Sequence, residues 1–206
     1  ASAFAAHVGS AARREVLGFI PDPVTPAFYT VLPVMFIYGG VMFANRVRNW
    51  QRGGPDKRDI TPKNAKARMA KLRAGLYMQT LLRDPAAGIM HSMIYFGFIG
   101  LAAVTTVLEI NHQVPESMKF LHGTIYEAYA FFGDLAGIVF LTGVVWAIVR
   151  RYVQRPYRIR IKSKPEHVII LGTLLAIGVT GFGAEMFRIA AQGRPSFEKW
   201  SFIGYP

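Results

Sequence analysis

Three of the five histidines in this chain, His91, His122 and His167, sit within or at the ends of long apolar runs. An ionisable group inside such a run is costly, so each is a functional suspect by default. Neutral imidazole is the least costly of these groups and a good axial ligand for haem iron. His91 lies in "RDPAAGIMHSMIYFGF" and is followed by a further apolar run. It either makes a local structural hydrogen bond or holds a metal. His122 is read the same way at the mouth of another run, and His167, after "KPE", either ligates iron or occupies the first turn of a helix. His112 and His7 fall in polar surroundings and read as solvated.

The acids and one arginine extend the set. Asp134 lies inside "AFFGDLAGIVF", with Glu127 two turns before it. An unpaired carboxylate there would be protonated or need a cation. Its roles are a haem-propionate neighbour, a proton relay, or a polar partner in an interhelical hydrogen bond. Glu185 and Arg188 are spaced i, i+3, which suits a local ion pair. Arg188 could alternatively bind a haem propionate or a quinone carbonyl. A bis-histidine haem b would need one imidazole from each of two facing helices, with glycines where the macrocycle meets backbone. Gly88, Gly97, Gly100, Gly133, Gly137, Gly172, Gly178, Gly181 and Gly183 fit that need, but close helix packing wants the same residues.

Four segments are long and apolar enough to carry these groups across a bilayer, which takes roughly 20 residues each. They are residues 26–45, 85–108, 123–149 and 165–187. Pro26, Pro85 and Pro165 stand at three of the starts, where a missing amide proton costs nothing. The chain is 206 residues long, 52% hydrophobic and only 17% charged, yet carries a net charge of +12. Apolar and basic blocks must therefore alternate. Of the 24 lysines and arginines, eleven fall in loop 46–84 and seven in loop 150–164. The positive-inside rule makes both loops cytoplasmic and puts the N-terminal segment 1–25, the loop 109–122 and the segment 188–206 outside. Placement beside spans accounts for the charge without a nucleic acid. Within loop 46–84, Thr61 and Pro62 mark a helix start, and Leu72, Leu76 and Tyr77 share a face with Met69 one turn before. That helix could lie on the membrane surface or dock a partner protein.

The chain has no cysteine, which excludes disulfides, cysteine-ligated iron–sulfur clusters and thiolate zinc within these residues. Neither a glycine-rich phosphate loop nor H-E-x-x-H occurs. Four spans without evident inverted repeats argue against a transporter. The start at Ala1 and the closing "SFIGYP", with no recognisable final element, suggest a piece of a longer chain.

The runs "LLRDPAAGIMHSMIYFGFIGL", "GDLAGIVFLTGVVWAIVRRY" and "KPEHVIILGTLLAIGVTGFGAEMFRIA" resemble the membrane domain of a bacterial reductase family. That family joins a cytochrome b-like part, similar to the respiratory nitrate reductase gamma subunit, to an iron–sulfur domain related to heterodisulfide reductase. Its nearest members resemble membrane-bound dehydrogenases that oxidise electron-transfer flavoprotein and reduce quinone. The resemblance spans residues 26 to 191. It implies an all-α five-helix bundle in the bacterial cytoplasmic membrane, with its N-terminus outside, four of the helices visible here, one or two b haems and a cytoplasmic redox partner. It places a haem ligand on His91. The family pattern has a second histidine ten residues on; Leu101 stands there in this chain. Its other ligands come from a fifth helix outside these residues, which leaves His122 and His167 as further iron-ligand candidates. The expected function is an electron relay between that partner and quinone, with a cofactor-free membrane anchor as the alternative.

Overall fold

The computed structural model describes residues 20–21, 23–53, 59–79, 81–156 and 164–206. These form five α-helices: α1, Val24–Trp50; α2, Pro62–Leu76; α3, Pro85–Gln113; α4, Gly123–Ile148; and α5, Glu166–Ala191. No strand occurs among the described residues. A π-helical stretch, Val149–Gln154, lengthens α4, so the continuous helical run is Gly123–Gln154. It closes where the Arg155 amide donates to the Arg150 carbonyl, with Arg155 in the left-handed region at φ 44°.

α1, α3, α4 with its extension, and α5 are each long and apolar enough to cross a membrane. Their backbone polar groups are satisfied within the helix, as hydrocarbon demands. α1 has no buried residue and α5 only Ile189. A helix apolar all round and uncovered by protein is suited to lipid rather than water. These four helices lie where the sequence places long apolar segments, each lengthened at one or both ends.

The chain divides into two compact units. One holds α1, which runs through Pro33, and most of α2. The other holds α3 to α5 and the residues beyond. There α3 and α4 pack antiparallel through glycines. A methyl group added at Gly97 would come within 2.6 Å of the Phe140 nitrogen, and one at Gly143 within 2.9 Å of the Ile94 nitrogen. α5 joins where Gly137 receives the Phe182 ring and Gly178 receives Leu141. Tyr126, Ala130, Asp134, Gly137, Phe140, Val144 and Ala147 form the buried stripe of α4 at spacings of three and four. α4 is thus the central helix of this unit. Of the glycines weighed as a seat for a macrocycle, Gly97, Gly100, Gly137 and Gly178 here serve helix–helix approach, whereas Gly172, Gly181 and Gly183 have nothing within 4 Å.

Asp84 starts α3 as an N-cap. Its Oδ1 accepts from the Ala87 amide at 3.2 Å, with Pro85 behind it, and its Oδ2 accepts from Arg150 Nη2 at 2.8 Å. At the other end of the pair, Asn111 Oδ1 accepts from the amides of Phe120 and Leu121 and fixes the turn into α4.

After α5 the chain forms a 3-10 turn at Ser196–Trp200 and a further turn to Gly204. Glu198, Ser201 and Gly204 are buried against α4 and α5. Ile203 reaches Asp134, eleven residues into α4, or roughly 16 Å of helical rise. Irregular backbone that far along a span is tolerated when protein covers it.

Candidate functional site

The most concentrated polar chemistry lies where α4, α5 and the final segment meet, at the end of the unit away from the Asp84–Arg150 pair. It grows from the α4 stripe, on which Tyr126 and Asp134 occupy equivalent positions two turns apart. Tyr126 is 1% exposed, and its hydroxyl lies 2.9 Å from both carboxylate oxygens of Glu198, which is itself fully buried. Arg188 Nη1 donates to Glu198 Oε1 at 2.6 Å and to Gln192 Oε1 at 3.0 Å. Glu185 stands 3.8 Å from Arg188 Nη2, so the expected i, i+3 pair exists but is the looser of the two. The Phe197 ring meets Tyr126 edge-on at 5.7 Å and Phe202 meets Phe131 at 5.6 Å, which seals the segment with aromatic contact.

Asp134 is fully buried. Its Oδ2 accepts from the Ile203 amide at 2.7 Å and from the Ser201 hydroxyl at 3.2 Å. Its Oδ1 is buried without a hydrogen-bond partner among the described residues, as are Nε and Nη2 of Arg188. The partners of Asp134 therefore belong to the final segment and are not another membrane helix. Ser201 Oγ accepts in turn from the Gly204 amide. A side chain at Gly204 would strike Ser201 Oγ at 2.5 Å and Glu185 Cγ at 2.8 Å. This constellation is a clasp: two carboxylates, one guanidinium and two hydroxyls hold the final segment into the helix pair. Glu127 is half-buried and makes no hydrogen bond or ion pair among the described residues.

The histidines do not converge. His91 is exposed on α3, about 120° round the helix from Gly97 and hence off the face covered by α4. It makes no hydrogen bond among the described residues, and Tyr95 and Phe98 follow it along the same flank at i+4 and i+7. His122 is the N-cap residue of α4, exposed, and its side chain makes no capping bond. His167 is half-buried in the first turn of α5, where Nδ1 lies 3.1 Å from the Lys164 amide nitrogen and 3.0 Å from its carbonyl oxygen. The Gly97–Phe140 contact sets the register of α3 on α4. From it, His91 lies six residues one way and His122 eighteen residues the other, a separation of roughly 36 Å along the axis. These two imidazoles cannot share one iron. The Gly137–Phe182 contact likewise puts His167 roughly 9 Å from the level of His91. No cluster of three or more His, Asp or Glu side chains suited to a metal ion occurs among the described residues. His112 is exposed near the end of α3, and His7 lies outside the described residues.

Residue spacing alone did not disclose Glu198, Ser201, Gly204 or the role of Tyr126. One signal pointed toward them: a buried arginine at 188 requires an acid, and after Glu185 the chain offers only Glu198.

Apolar helices of spanning length, glycine-mediated packing and a polar clasp buried between them define the class: a multi-pass helical membrane protein. Two curated proteins are similar over part of the chain. The EtfAB:quinone oxidoreductase of Syntrophomonas wolfei is 33% identical over 113 residues, 54% of this chain. The probable iron-sulfur-binding oxidoreductase FadF of Bacillus subtilis is 30% identical over 107 residues, 52% of this chain. The match covers 15% of the length of each relative. No protein-family model matches the chain. No solved structure matches it.

Proposed function

We propose that the chain is a membrane portion of a quinone-linked oxidoreductase, with its N-terminus outside the cytoplasmic membrane of a bacterium. It passes electrons between a cytoplasmic iron–sulfur or electron-transfer-flavoprotein partner and the quinone pool. The observation that carries this reading is the 33% identity over 113 residues to a protein named for electron-transfer flavoprotein and quinone. The second relative, named as an iron–sulfur-binding oxidoreductase, supports a partner domain of that kind. Because these residues contain no cysteine, cysteine-ligated clusters would belong to that partner.

The electron carrier in this reading is b-type haem. Haem iron, when bound, supplies a one-electron couple between ferric and ferrous states. His91 would hold the iron: its imidazole is exposed, unpartnered among the described residues and on the flank of α3 away from α4, with Tyr95 and Phe98 beside it. A second histidine ligand would come from outside the described residues, since neither His122 nor His167 stands level with His91. Arg188 is committed to Glu198 and Gln192, so it suits the clasp better than a propionate or quinone carbonyl. The basic loops would attract an acidic redox partner by long-range steering.

One observation favours a second reading, a cofactor-free anchor: only His91 of the three candidate imidazoles lies in the body of a span without a local partner. The reduced-minus-oxidised visible spectrum of the full-length protein decides between them. A low-spin b-type α-band that is lost in His91→Ala supports the relay. A folded, colourless protein leaves the anchor.

A further inference from the structure

α2 has no buried residue, yet it is a finished helix with a stop at each end. At its start the Asn64 amide donates to Thr61 Oγ1 at 3.3 Å, and Asn64 Nδ2 donates to the Asp59 carbonyl at 3.0 Å. At its end Met78 takes the left-handed conformation at φ 56°, with the Gln79 amide donating to Ala74 and the Met78 amide to Gly75. That pair of bonds is a Schellman cap. A helix of 15 residues is marginal in water without an apolar partner. Its larger apolar residues Met69, Leu72 and Leu76, with Ala65, follow i, i+4, i+7 and i+11 from Ala65 and fall within a sector of about 60°, while Ala67, Ala70 and Ala74 lie on the other side. Met69 is 64% exposed, Leu72 56% and Leu76 51%, so nothing described covers the sector.

We propose that α2 lies flat on a leaflet rich in anionic phospholipid, its Ala65–Met69–Leu72–Leu76 sector sunk into the acyl boundary. Two observations select lipid over a protein groove. First, cations shoulder the sector on both sides: Lys66 and Arg73 on one flank, Arg68 on the other. Their aliphatic stems can lie along the apolar boundary while the charges reach phosphate. The helix contains five cations and no acid. Second, the chain keeps α2 near a bilayer. Only eight residues lie between Leu76 and Pro85, where the next long apolar helix begins, a reach of at most about 30 Å. The inference is independent of the relay reading and requires only that α1 and α3 cross a membrane.

These 206 residues contain no cysteine, and subtracting the spectrum of the same protein without an introduced cysteine isolates the signal of a label placed on α2. The full-length protein is placed in nanodiscs of phosphatidylcholine alone or with phosphatidylglycerol and labelled at Leu72→Cys or Lys71→Cys. Collision with oxygen, which partitions into lipid, is compared with collision with a water-soluble nickel chelate. With phosphatidylglycerol the Leu72 label is expected to favour oxygen several-fold over its value in phosphatidylcholine discs, while the Lys71 label stays on the aqueous side. The triple reversal Lys66→Glu, Arg68→Glu, Arg73→Glu should abolish the Leu72 signal in the same discs. An unchanged elution profile from gel filtration would show that the variant is folded. The proposal is overturned if the Leu72 label is equally water-accessible in both disc types. It is also overturned if charge reversal leaves the signal intact, or if protection appears only when a soluble protein partner is added.

Discussion

Glu198→Gln tests the clasp at its centre. The substitution is nearly isosteric and leaves one carbonyl oxygen for the Tyr126 hydroxyl, but it removes the anion that accepts from Arg188 at 2.6 Å. The Arg188 side chain is 13% exposed and Glu198 fully buried, so water replaces little of what is lost. Breaking a buried pair by removing one partner costs about 3–5 kcal/mol, because the remaining charge is stranded. Glu185, 3.8 Å from the other guanidinium nitrogen, offsets part of this and places the expected loss near the lower bound, about 3 kcal/mol. For a chain of this size that corresponds to a fall in Tm of about 6–12 °C. The assay is thermal unfolding of the detergent-solubilised protein followed by tryptophan fluorescence, since Trp200 ends the 3-10 turn that carries Glu198. Arg188→Met alone should destabilise similarly, whereas Arg188→Met with Glu198→Met should recover much of the loss, because both charges are then removed together. A double-mutant cycle isolates that coupling. If Glu198→Gln changes stability by less than about 0.5 kcal/mol, the range of an ordinary surface substitution, the clasp does not hold the segment in place. Strict additivity of the two changes would refute the argument equally.

The other side of the clasp separates hydrogen bonding from packing. Asp134→Asn keeps an oxygen for Ile203 and Ser201 and should cost little, whereas Asp134→Leu strands the Ile203 amide and should cost about 1–3 kcal/mol, read as faster proteolysis after residue 194. Gly97→Leu places side-chain atoms where even a methyl would lie 2.6 Å from the Phe140 nitrogen. It should force α3 and α4 apart at a cost of about 1–3 kcal/mol, measured as lowered thermal stability, while Gly181→Leu, with nothing within 4 Å, should be close to neutral.

Much of the fold was legible because its signals are local. A run of apolar residues is long enough to span a bilayer whatever surrounds it. Proline at Pro85 behind Asp84, and Thr61 ahead of Pro62, mark helix starts through bonds that close within a turn. The crowding of lysine and arginine into loops 46–84 and 150–164 is likewise a property of the chain order. The cost of Asp134 and Arg188 in an apolar run was visible too, as a demand for partners.

Sequence by itself therefore determined the spans, the basic loops, the caps and which polar groups were under stress. Tertiary structure alone decided how that stress is relieved. Tyr126 meets Glu198 across 72 positions and Asp134 meets Ile203 across 69, distances over which no periodicity carries information. The same folding separated His91 from His122 along the bundle axis and turned Gly97, Gly137 and Gly178 to helix packing. A helix reads out its own hydrogen bonds from neighbouring residues, but the partner of a buried charge is set by which chain segment the packed helices leave room for.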